Sequence, residues 1–119
     1  MKKKTYNLEE RTALFGEKLI VCIKTIPKND IIRPLVSQII RSGTSISANY
    51  CEADCAESKK DFEHKIGICK KEAKETRYWM RMLVVAIPEL KEELQLLWQE
   101  AHRAPSHIYS YCQKLSLEE

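Results

Sequence analysis

Lys70, Lys74, Arg77 and Arg81 recur at steps of four, three and four, which on a helix draws one straight line of positive charge. Each follows an apolar or small residue by one position, so the line lies about 100° around the helix from that seam. Lys59, Lys60, Lys65 and Lys71 add charge nearby. The chemistry such a stripe offers is neutralisation of phosphates, with salt-sensitive binding and little sequence preference. A solvated helix face has the same spacing when its cations pair with Glu72, Glu75 or the acidic residues of a neighbouring chain.

Other chemistries find less support. Cys51 and Cys55 stand one helical turn apart and His64 follows in the next segment. A structural zinc needs four placed ligands, and a di-iron bundle needs Glu-x-x-His pairs. Asp61, not a glutamate, stands three residues before His64. No metal or cofactor is therefore expected, although a redox or metal sensor built on Cys51 and Cys55 is a third reading. No Cys or Ser sits in a turn that would present a nucleophile, and no Gly-rich phosphate loop is present. No catalytic residue is assigned, and the chain is read as a non-enzyme. Asn49, Glu52 and Glu75, with Arg41 or Arg77 as partners, form a polar set read as fixing helix register inside the core.

The elements that must position these residues are helical. At steps of three and four, Leu35, Ile39, Ser42, Ile46, Asn49, Ala53 and Ala56 make one face that narrows from branched to small residues. Another helix fits closely there, so this segment is expected at the centre of a bundle. A second face, Val36, Ile40, Gly43, Ser47 and Tyr50, runs along the same helix. Two such faces exceed the need of one four-helix core, and self-association is the expected outlet. Tyr78, Trp79, Trp98 and Tyr109 beside the seams point the same way.

Around that helix, Asn7 and Glu10 resemble a capping box. They open a first helix to about Ile26 with the stripe Leu8, Phe15, Leu19, Cys22 and Ile26, widened by Ile20 and Ile23. Ile31 and Ile32 are expected under the bundle end, and Pro34 in the first turn of helix two, which ends near Glu57. Ser58 and Asp61 begin a third helix whose seam runs from Phe62 through Ile66, Cys69, Ala73, Thr76, Met80 and Leu83 to Ile87, stopped by Pro88. The fourth starts near Pro88–Glu89, carries Leu90, Leu94, Leu97, Ala101, Ala104, Ile108, Tyr111 and Leu115, and is expected to kink at Pro105. The spacing predicts an all-α, antiparallel up-down-up-down four-helix bundle in a single domain over residues 1–119. Residues 1–6 are read as a flexible basic arm and 116–119 as a frayed tail.

Composition agrees with helices: 44% hydrophobic, 31% charged, three Gly and four Pro. The net charge of +3 conceals an asymmetry. Residues 1–81 carry +6 and residues 82–119 carry −3, which suits an anionic partner or subunits meeting basic face to acidic face. Five cysteines, an odd count scattered through helical patterns, fit reduced thiols and not a disulfide framework. No apolar run approaches the ~20 residues of a membrane span. MKKK is not followed by a hydrophobic segment, so a cytoplasmic location is expected.

The stretches RSGTSISANYCEA and SKKDFEHKIGICKKEAKETRYWMRML resemble the small four-helix-bundle proteins encoded within intervening sequences of bacterial 23S ribosomal RNA genes. The likeness runs from about Ile39 to Leu83. It rests on Arg41-Ser42, Ser45-Ile46, Asn49, Glu52, Lys60-Asp61-Phe62, and Glu75 with Tyr78. Ala53 stands where that family often has Gly, and Pro105 departs from its pattern in helix four. The resemblance implies a homo-oligomeric ring, commonly a pentamer. A related bundle, similar in its basic surface, is an accessory protein of diversity-generating retroelements that associates with reverse transcriptase and nucleic acid. RNA is the implied partner of the basic surface; a scaffold or accessory subunit without nucleic-acid binding is the alternative. No catalytic residues carry over.

Overall fold

The computed structural model describes residues 8–103. The basic arm, the cap at Asn7, the kink at Pro105, the fourth-helix positions from Ala104 onward and the frayed tail lie outside the described residues. Helix α1 spans Leu8–Lys24, α2 Ile32–Asp54 and α3 Lys59–Ala86. A 3-10 turn, Pro88–Leu90, leads into α4, residues 91–103. There is no strand among the described residues.

Local chemistry accounts for each boundary. The α1–α2 connection is held by Asn29, whose Oδ1 accepts the amides of Ile31 and Ile32, both at 2.9 Å. These are first-turn amides that no helical carbonyl can reach. Lys28 Nζ donates to the carbonyls of Ile23 (3.2 Å) and Ile26 (2.5 Å), covering the end of α1. Ser58 caps α3, its hydroxyl accepting the Asp61 amide at 3.0 Å as its spacing predicts. Ile87, pressed by the ring of Pro88, takes an extended conformation (φ −137°, ψ 83°) and ends the helix one residue earlier, at Ala86.

Cross-helix contacts give the direction of the α2–α3 pairing and place α4 beside α3 and α1. Ser42, Ile46 and Glu52 of α2 bond Thr76, Cys69 and Lys65 of α3 in that order, so the two run antiparallel. Arg77 reaches Trp98 and His102 of α4, while Arg11 of α1 pairs with Glu100. The main core comprises Phe15, Leu19, Ile23, Ile39, Ile46, Met80, Leu83 and Leu94 with their neighbours. A smaller cluster of Leu8, Tyr50, Ala53, Ile66 and Cys69 closes one end.

Helix α2 has two buried faces because it packs between α1 and α3. Val36, Gly43 and Tyr50 of its second face are buried within this one copy. Gly43 is the point of closest approach: a Cβ there would overlap Cδ2 of Leu19. The second face therefore does not require a second subunit, contrary to the inference drawn from its pattern. Two other apolar expectations change. Ile20 is 41% exposed and does not widen the core stripe, and Ile31 is 70% exposed while its neighbour Ile32 is buried. At 100° per residue Ile20 turns past the flank of α1 that α2 can cover.

Candidate nucleic-acid interface

Lys70, Lys74 and Arg81 are exposed on one outer face of α3, joined by Lys71. Arg77 is not in line with them. It is half-buried and turned toward α4, where its Nη1 donates to Nδ1 of His102 at 2.8 Å. Because a guanidinium only donates, that ring nitrogen of His102 is the acceptor. The guanidinium carbon stands 5.8 Å from the centre of the Trp98 ring, within cation–π range. Sequence spacing groups Arg77 with its three neighbours; the packing of α4 separates it from them.

Glu72 and Glu75 of α3 face the other way. Arg41 of α2 ion-pairs with Glu75 and lies 3.5 Å from each oxygen of Glu72. Trp79 Nε1 donates to Glu75 at 3.1 Å, and that bond, followed by Arg41, holds the Glu75 carboxyl below the usual carboxylate range. Lys74 and Arg81 thus keep their charge toward solvent, with no carboxylate paired to them among the described residues.

The polar set read from sequence is distributed differently. Glu52 is exposed and takes a 2.6 Å ion pair from Lys65, which raises the Lys65 pKa. Asn49 is half-buried and donates to the carbonyl of Ser45 in its own helix at 2.8 Å, with no bond across the core among the described residues. Glu75 lies at the edge of α2 and α3. The expectation of a core polar contact through these three is corrected: among the described residues the buried polar ones are Thr12, Ser42, Glu72 and Thr76. Thr76 Oγ1 donates to Ser42 Oγ at 2.9 Å across the α2–α3 seam and lies 2.7 Å from the Glu72 carbonyl oxygen. Both residues stand on the seam positions of their helices, and two facing hydroxyls at the crossing are the available sequence signal for this bond.

Among the described residues no three His, Cys, Asp or Glu side chains gather where they could hold a metal ion. Cys51 and Cys55 are exposed, whereas Cys22 and Cys69 are buried. Burial, followed by the neighbouring Glu93, pushes the Cys22 thiol up to about 12, so it remains a protonated, unreactive group near neutral pH. Iodoacetamide should modify Cys51 and Cys55 in the folded protein, while Cys22 and Cys69 react only after denaturation. Peptide mass spectrometry reads this directly, and native-state labelling of Cys22 at the rate of Cys51 would contradict it.

No helix among the described residues is long and apolar enough to cross a membrane. The family model for the 23S rRNA-intervening sequence protein matches residues 5–87, which include all of α1, α2 and α3. The chain belongs to that family. A solved structure also matches, that of a protein of unknown function from the S23 ribosomal protein family of Bacteroides thetaiotaomicron. It is 26% identical, with a TM-score of 0.74 over 89% of this chain and 95% of that one. No curated protein matches. Family membership thus accounts for the bundle. The segment it matches also carries the cationic face of α3 and the Arg41 pairings behind it.

Proposed function

We propose that this family member is a non-enzymatic, cytoplasmic bacterial protein that binds RNA through the outer face of α3 as part of a homo-oligomeric ring, commonly a pentamer. The observation that carries the RNA reading is the division of charge on α3. Glu72 and Glu75 are turned to Arg41, while Lys74 and Arg81 are exposed with no carboxylate paired to them among the described residues. A polyanion meeting that face encounters cations with few competing carboxylates. Arg77 stands apart from this face, bonded to His102 of α4.

Self-association rests on apolar area that one copy leaves open. Leu14 and Val21 of α1, Val85 of α3, and Leu96 of α4 are all exposed, from 40% to 75%. A groove of about 360 Å³ between α3 and α4, floored by Met80, Val84 and Leu94, adjoins Val85. Leu14 and Leu96 line one groove, between α1 and α4, and Val85 lines the other, between α3 and α4. Copies joined groove to groove through the two would meet by unlike surfaces, which close into a ring when the rotation allows.

The test is binding of a mixed-sequence, single-stranded RNA oligonucleotide across a salt series, followed by fluorescence anisotropy. Affinity should fall as salt rises. Lys70→Glu with Lys74→Glu should weaken it about tenfold and flatten the salt dependence, because each lost phosphate contact removes roughly 0.7 from the slope for a single strand. Binding that ignores salt, or ignores the double substitution, removes the electrostatic reading. The exposed Val85 and Leu96 favour a second reading, a scaffold module whose charges pair across subunits. It expects light scattering to show salt loosening the oligomer while no RNA binds.

A further inference from the structure

A second cationic feature lies beside the α3 face, where α3 meets α4. A cleft of about 400 Å³ is lined by Arg77, Trp98, Gln99, His102 and Arg103. That volume is in the range of small-ligand sites. Among the described residues its lining is unlike the rest of this acidic end of the chain: two guanidinium groups, an imidazole, an amide and an indole, with no carboxylate among them. Glu100, on the same helix, is directed away and pairs with Arg11 of α1 at 2.9 Å. Neither Arg77 nor Arg103 has an ion pair among the described residues.

Two details point to a ligand carrying both negative charge and an aromatic plane. Among the described residues the Nε of Arg77 is buried and makes no hydrogen bond, while its Nη1 bonds His102. A guanidinium with an unpartnered nitrogen keeps donor capacity for an anion that comes to it. Trp98, 36% exposed, presents part of an indole at the same cleft. Arginine forks suit phosphates, and exposed indoles suit unstacked bases, since every base has a π-face.

We infer that the Arg77–Trp98–His102–Arg103 cleft is a mononucleotide subsite that takes one unstacked base on Trp98 and its phosphate on Arg77 and Arg103. Gln99 is placed to meet the base edge with its amide. Arg81 and Lys74, one turn to either side of Arg77 on α3, extend the path to flanking phosphates. This inference rests on the RNA reading above and adds to it a preference for single strands, because a paired base cannot leave its stack without cost.

The full chain is tested with a single-stranded RNA oligonucleotide, the same sequence as a duplex, and adenosine monophosphate alone. Trp98→Ala and, separately, the surface change Arg103→Glu should each weaken the single strand about tenfold, in line with one base stack. Duplex affinity should change less than about twofold. Trp98→Phe keeps an aromatic plane and should retain single-strand binding while losing the tryptophan quenching that the parent shows with single strand and with adenosine monophosphate. Circular dichroism confirms that each variant is folded. If Lys70→Glu with Lys74→Glu weakens RNA but Trp98→Ala and Arg103→Glu do not, the cleft is overturned and the α3 face stands. If RNA fails to bind yet adenosine monophosphate gives saturable quenching abolished by Arg103→Glu, the cleft stands without the wider RNA reading. Neither RNA binding nor quenching overturns both.

Discussion

Leu19→Ala lowers the stability of the bundle by about 3 kcal/mol, and adding Gly43→Val restores a measurable part of that loss. Leu19 is completely buried, and its removed methyl groups leave a void whose walls are α1, α2 and the main core. Truncations of this kind lose both transfer energy and packing, in the range of about 2–5 kcal/mol. Gly43 is the second half of the effect, because its missing Cβ is the space that Leu19 fills. Gly43→Val alone therefore forces Leu19 against a packed core and costs roughly 1–3 kcal/mol. Combined, the valine enters the volume that the alanine vacates. Urea denaturation of the four proteins at one fixed concentration gives the coupling. Strictly additive losses would show that α1 and α2 do not interlock at this pair.

Thr76→Val is the second large effect, about 2 kcal/mol from a change that alters side-chain shape very little. Thr76 and Ser42 are fully buried and bonded to each other. Valine leaves the Ser42 hydroxyl with only the Ile39 carbonyl, 3.4 Å away, a long and weak contact. A buried hydroxyl without a sound partner costs about 1–3 kcal/mol, more than the bond itself contributes. The asymmetry makes the result checkable. Thr76→Val with Ser42→Ala removes both polar groups and should lie within about 1 kcal/mol of the parent, more stable than Thr76→Val alone. Thermal unfolding of the two single variants and the double decides it. A double variant as damaged as the sum of the singles would mean that the hydroxyls act independently.

Both substitutions fall on positions whose neighbours sequence periodicity identifies only in part. The seam of α3 from Ile66 to Leu83 is buried as its spacing predicts, and so is most of the small-residue face of α2. The stop at Pro88 and the cap at Ser58 were equally legible, since both follow from chemistry within a few residues. The polar core was not. Asn49, Glu52 and Ser42 lie on or beside one face by spacing, and which of them crosses to another helix depends on how α3 is rotated against α2. That rotation buries Ser42 opposite Thr76 and leaves Glu52 outside with Lys65.

The cationic stripe is divided in the same way. Steps of four and three place Lys70, Lys74, Arg77 and Arg81 on one line, and three of them are exposed along it. Arg77 left the line because α4 brought Trp98 and His102 to it, residues more than twenty positions away whose approach no local pattern encodes. By itself the sequence determined the helices, the α3 cap at Ser58 and its stop before Pro88, the α3 seam and the charge carried by each segment, because these depend on 3.6-residue periodicity and short-range capping. Only the tertiary structure decided which polar groups became partners and that Arg77, Trp98, His102 and Arg103 share a cleft. Such pairings depend on the rotation and approach of whole helices, which side-chain volumes set across the core.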